Sequence, residues 1–213
     1  MKEEILKFIR SNRVSSTQVA DALQKKGVLK DIMPLNTNHH KTGEVFYIWG
    51  ANETNWDIHL GAENAPENSV VFIDIIDNKI EKASFGDLIS KYLIIYKQVA
   101  SIITNGKVRD APKLLKENWP IWCIGRSPIG FNNNKEEVTT AIKEKIKERK
   151  EFFHGSIAVC DDTGVVIIPK NKHNHSFLND LIAIEEKEDR WLECIDRKKL
   201  STFQTVCIRE KNL

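Results

Sequence analysis

The chain has 213 residues, 41% of them hydrophobic, and its 32 basic and 30 acidic side chains leave a net charge of +2. That is enough apolar material for one substantial core in a single domain, and the balanced charge gives no global field to recruit nucleic acid. No run approaches the roughly 20 apolar residues of a membrane span, and the start MKEEILKFIR is charged and amphipathic, so the chain reads as soluble and cytoplasmic with no membrane partner.

Residues 2 to 10 place Ile5, Phe8 and Ile9 at helical spacing. Ser15 or Ser16 then caps a second helix facing inward through Val19, Ala22 and Leu23 and ended by Gly27. These helices make up residues 1–27, ahead of a core over 28–170 and a closing helix over 174–196. EVFYIWG and SVVFIDII read as strands separated by a polar, asparagine-rich stretch, and NKIEKAS as a short hairpin return. From Gly86 onward, Leu88, Tyr92 (or Leu93), Tyr96 and Val99 predict an inward helical stripe, followed by the strand SIITNG.

Pro112 suits the first turn of the next helix, and PIWCIG reads as a strand leading into the loop RSPIGFNNN. Asn134 and Glu137 have capping-box spacing for a charged surface helix over 135–153 that buries Val138, Ile142, Ile146 and Phe153. GSIAVCDDTGVVIIP predicts a hairpin, and residues 176–195 a long helix with Phe177, Leu181, Ile184, Trp191 and Ile195 inward. The whole is mixed α/β. Cys123, Cys160, Cys194 and Cys207 form no C-x-x-C pair and read as buried apolar thiols.

Within ITNGKVRDAP, the Arg109-Asp110 pair has two readings from the residues alone: a solvated ion pair after a turn, or a cation and a hard oxygen ligand presented together. The stretches STQVADAL, FGDL, ITNGKVRD, WPIWCIGRSPIG, DDTGVVIIP and IEEKEDRWLECI, in that order, resemble the family of the regulator of ribonuclease activity A, which includes the 4-hydroxy-4-methyl-2-oxoglutarate aldolases. The resemblance covers about residues 10 to 205, and its most specific part is Gly86 to Asp110. It implies an α/β fold, the three-layer β/β/α swivelling domain, as one domain over 1–213, assembled as a homotrimer or hexamer with sites between subunits.

The same resemblance implies a divalent-metal-dependent lyase acting on a 2-oxo acid. The reaction is retro-aldol cleavage of a 4-hydroxy-2-oxo acid or decarboxylation of an oxaloacetate-like acid, either way through a pyruvate enolate. Asp110 is then a ligand of Mg²⁺ or Mn²⁺, and Asp87 holds a water on that metal. Arg109 leans over the ketone oxygen, and Gly86, Asp87, Leu88 and Ile89 contact the substrate at a helix start. Glu188, in the last helix, is the acid placed to serve a neighbouring subunit's site, and Arg126 is a candidate for a second substrate carboxylate. The bland alternatives are a first-turn acid for Asp87 and a solvated charge run for residues 185–188.

His39-His40 and His173-Asn174-His175 sit in polar loops without matching acids and read as loop residues, as do His154 and Asp161-Asp162. Three departures from the family pattern stand out. Twenty-two residues, Asp87 to Val108, separate Gly86 from Arg109, slightly more than expected, which predicts a longer or bulged helix. Lys113 stands where an acid commonly follows the Arg-Asp pair, and the charged segment 135–153 replaces glycine-rich stretches. These departures motivate the alternative function, a non-catalytic regulator that binds a protein such as a ribonuclease.

Overall fold

In chain order the elements are α1 (Lys2–Asn12), α2 (Ser16–Ala22), β1 (Met33–Pro34), β2 (Lys41–Gly50), α3 (Trp56–Ala62), β3 (Val70–Ile75) and β4 (Ala83–Phe85). Next come α4 (Asp87–Lys91), which runs directly into a π-helical turn (Tyr92–Tyr96), β5 (Ser101–Thr104), β6 (Lys107–Val108), α5 (Ala111–Lys116), β7 (Ile121–Cys123) and β8 (Gly125–Arg126). The chain continues through α6 (Thr140–Phe153), β9 (Ile157–Asp161), β10 (Gly164–Ile168) and α7 (His175–Asp196). This computed structural model describes residues 1–76 and 81–208.

The β-branched runs pair into a sheet of order β1-β7-β5-β3-β2-β9-β10, parallel through β7, β5, β3 and β2 and antiparallel at both ends. Its central strands are buried on both faces, which is why they read as near-continuous apolar runs and not as alternating ones. The register Tyr47↔Phe72↔Ile103↔Trp122 lines one face. The register Val71↔Ile102↔Ile121 lines the other, where Phe85, Ile89, Leu93, Val108 and Leu114 pack against it. Those five residues come from β4, α4, its π-helical turn, β6 and α5, so the elements around Arg109-Asp110 are held to the sheet by an apolar floor. A second sheet, β4-β6-β8, is parallel throughout. Helices α1, α2 and α7 cover the β9-β10 hairpin through Ile5, Ile9, Val19, Phe177 and Leu181.

Several expectations need correction. Residues 77–80 of the expected hairpin return lie outside the described residues, and Ala83–Phe85 beyond them pair with β6 in the second sheet and do not run back along β3. Of the stripe expected after Gly86, the Leu93 alternative and Val99 face inward, joined by Ile89, while Leu88, Tyr92 and Tyr96 are exposed. The bulged helix is present as the π-helical turn, which takes up an extra residue in the helical path. The polar stretch before β3 contains α3, seated by Ile58 and Ala62. Helix α6 begins later than expected, because Thr139 accepts a hydrogen bond from the Ile142 amide and acts as the cap. Asn134 is instead tied to the loop through Thr54 and Asn132. Cys123, Cys160 and Cys194 are buried, but Cys207 is exposed.

The charged helix α6 is more than a solvated surface element. Asp74, fully buried at the end of β3, accepts hydrogen bonds from the Tyr47 hydroxyl (2.8 Å), Asn105 Nδ2 (2.8 Å), Arg149 Nη2 (2.8 Å) and Arg149 Nε. Burial, reinforced by the Asp74 carboxylate, pushes the Tyr47 phenol well above its ordinary value and keeps it a donor. Removing one partner of a buried charge pair leaves the other uncompensated. Because Arg149 is partly exposed and two neutral donors remain on Asp74, Arg149→Met is expected to cost about 2–3 kcal/mol in urea unfolding. A loss within about 0.5 kcal/mol, the range of ordinary surface substitutions, would show that α6 is not anchored this way.

Candidate functional site

Parallel strands release their chains at the same edge, and in the small sheet Phe85 is aligned with Val108 and Val108 with Arg126. Gly86 and Asp87 therefore leave β4 next to Arg109 and Asp110 leaving β6, although 22 residues lie between. The Arg109 amide donates to the Phe85 carbonyl at 2.9 Å and extends this pairing by one residue. Asp110 then turns into the left-handed region (φ 58°, ψ 30°), a conformation that aspartate tolerates better than most residues, and opens α5.

A cleft of about 260 Å³ opens at this edge, lined by Gly86, Asp87, Leu88, Ile89, Arg109 and Asp110, together with Asn55, His59, Gly130, Asn132 and Asn133. Two glycines permit its geometry. A Cβ on Gly86 would overlap the Asp110 carboxylate and come within 2.7 Å of Arg109 Cγ, and one on Gly130 would lie 2.8 Å from Arg109 Nη1. Asp110 Oδ2 accepts from the Asp87 amide at 3.2 Å and lies 3.5 Å from Arg109 Nε. The first-turn amides of α4 have no carbonyl one turn earlier to bond, so this end of the helix favours an anion.

Lys113, one turn into α5, reaches across to form an ion pair with Asp87. Its hydrogen bond is the main cause holding the Asp87 carboxyl below the usual carboxylate range. The two carboxylates at one edge of the cleft, with the close approach that Gly86 permits, make a donor set suited to Mg²⁺, which takes one or two carboxylates and keeps several waters. No cluster of three or more histidine, cysteine or acidic residues able to hold a metal is found among the described residues.

The structure thus brings together Gly86, Asp87, Leu88, Ile89, Arg109 and Asp110. Arg126 is exposed in β8, beside Val108, and does not line the cleft. Glu188 does not line it within the same chain either; it accepts from Gln18 Nε2 at 2.9 Å, and its expected place is a neighbouring subunit's site. Of the histidines singled out in the sequence, His39 meets Asn118, His40 the Val14 carbonyl, His154 the Tyr47 amide and His173 the Ile168 carbonyl, while His175 opens α7; none of the five lines the cleft. His59, Asn55 and residues 130–133 fall in the loops around 36–69 and 126–134 to which the sequence assigns pocket selectivity, but it singles out none of them individually. Partial desolvation at the cleft lowers the His59 pKa from its ordinary value although the residue remains exposed, and among the described residues Asn55 Oδ1 is buried without a hydrogen-bond partner. Asn55 stands at the start of α3, and recognising that helix would have pointed to both residues.

Comparison with known proteins agrees with this architecture. The chain is 26% identical over 184 residues to protein DlpA of Legionella pneumophila, an alignment that takes in 83% of this chain but only 29% of DlpA, so the chain spans less than a third of that relative's length. An uncharacterized protein from Pseudomonas syringae superposes with a TM-score of 0.74 at 18% identity, over 95% of this chain and 92% of that one. Streptomyces coelicolor RraAS2, described as an unusual member of the RNase ES inhibitor RraA protein family, superposes with a TM-score of 0.66 at 21% identity, over 90% of this chain and 96% of its own. At these identities the two superpositions establish the fold. The family model described as RraA-like, Aldolase/RraA, matches residues 16–167, and the chain belongs to that family.

Proposed function

We propose that the cleft binds a 2-oxo acid and breaks its C3–C4 bond, releasing pyruvate. The observation that carries this reading is the meeting of a fixed cation, two carboxylates and a helix start at one cleft edge. The Leu88 and Ile89 end of α4 would hold the substrate carboxylate through backbone amides. The Arg109 guanidinium would face the ketone oxygen, where negative charge develops as the C3–C4 electron pair moves toward C3. Protonation at C3 then completes pyruvate, and the other product is a carbonyl compound or carbon dioxide.

Asp87 and Asp110 are the residues that would hold Mg²⁺ or Mn²⁺, which when bound supplies Lewis-acid polarisation of the ketone. Retro-aldol cleavage also needs a base for the C4 hydroxyl proton, and Glu188 of a neighbouring copy is our candidate. Exposed Leu88 lines the cleft and, with exposed Tyr92, an adjoining groove shared with His59 and Ile89; this apolar surface supports a homotrimer or hexamer with sites between subunits. The second reading, a non-catalytic regulator that binds a protein such as a ribonuclease, is favoured by the Lys113 ion pair, which neutralises one of the two carboxylates.

The test is pyruvate release from oxaloacetate and from 4-hydroxy-4-methyl-2-oxoglutarate, with Mg²⁺ or Mn²⁺ and with chelator. Arg109→Ala and Asp110→Ala are each expected to lower release by about 10²–10³-fold with the fold intact by circular dichroism. Undiminished turnover in both would refute the site, and no release by the unmodified protein from either compound favours the regulator. Gly86→Ala, which displaces the Asp110 carboxylate, is expected to abolish release without unfolding the chain. The His59 imidazole is expected to titrate in NMR with a midpoint below the ordinary 6.5, because the cleft wall partly desolvates it; a midpoint at or above that value would contradict this desolvation.

A further inference from the structure

The ion pair between Lys113 and Asp87 is an unusual arrangement for a site that takes up a divalent cation. Asp87 faces the cleft with only 17% of its side chain exposed, and one of its oxygens is occupied by the Lys113 ammonium. Asp110 is engaged through one oxygen, Oδ2, by both the Asp87 amide and Arg109. The Lys113 side chain is 57% exposed on a flexible stem and can leave Asp87 for solvent without disturbing the core. Its pairing also offsets repulsion between two carboxylates held at one cleft edge.

We propose that Lys113 is a tethered counter-cation that competes with the divalent metal for Asp87, so that metal enters only as the ammonium swings out. This rests on the reading of Asp87 and Asp110 as the metal-holding pair. It makes Lys113 a positioning residue that sets how much metal the site requires. A charge at this range from a dication weakens its binding substantially even in a water-like dielectric, so removing it has a measurable effect.

The experiment is a titration of the full chain with Mn²⁺, following free Mn²⁺ by electron paramagnetic resonance without substrate. It compares the unmodified protein with Lys113→Met, Asp110→Asn and the Lys113→Met/Asp87→Asn double variant. Lys113→Met is expected to bind Mn²⁺ about tenfold more tightly, with the double variant losing that gain. Equal or weaker binding by Lys113→Met, with Asp110→Asn still abolishing binding, would overturn the competition and leave the metal site standing. Tighter binding that survives in the double variant would place the ion elsewhere and also overturn it. Absence of binding by both the unmodified protein and Lys113→Met would overturn the metal site and the competition together. Lys113→Arg, which keeps the charge, is expected to stay within about threefold of the unmodified protein.

Discussion

The parallel alignment of Phe85 with Val108 is the constraint on which the cleft depends. It fixes where two distant parts of the chain emerge, and because both strands run the same way, the residues leaving each of them arrive at one edge. Ligands of parallel sheets gather at the carboxyl ends of the strands for this reason. The alignment is itself held by burial: Phe85 and Val108 sit in the apolar layer with Ile89, Leu93 and Leu114, pressed on the larger sheet. A polar cleft therefore stands on a hydrophobic floor contributed by the same short elements.

The floor also explains how the chain accommodates extra length between Gly86 and Arg109. Ile89 and Leu93 keep their places in the core, and the additional residue is absorbed in the π-helical turn at Tyr92–Tyr96. Single π-type turns inside helices often coincide with functional sites. Here the turn leaves both ends of the segment where the small sheet needs them.

Much of this was legible in the sequence because the signals are local. Strands buried on both faces show as unbroken β-branched runs, the Ser15 cap and the Asp162-Thr163 turn have short-range chemistry, and Gly86 and Arg109-Asp110 sit in an ordered set of motifs. The inward stripe after Gly86 is only partly legible: Leu93 and Val99 do meet the core, but Leu88, Tyr92 and Tyr96 match helical spacing as well as Ile89 and Leu93 do, and spacing alone cannot say which stripe is buried. Helix α3 was hidden by its brevity and polar flanks. The Asp74–Arg149 pair joins residues 75 positions apart, and His59 enters the cleft only because α3 lies along β2; neither leaves a local trace.

The near-cancellation of charge around the cleft has a consequence for how a ligand arrives. Arg109 and Lys113 are balanced by Asp87 and Asp110, so the site presents to distant solvent a short-range multipole instead of a net charge. Fields of that kind fade faster with distance than the field of a single ion, well inside the roughly 8 Å over which salt at physiological strength screens. An anionic ligand would then be drawn in by no long-range steering and would feel the site only on contact, where individual amides and the guanidinium are resolved. A ligand bound at this edge would thus be selected by fit at close quarters, with encounter left to ordinary diffusion.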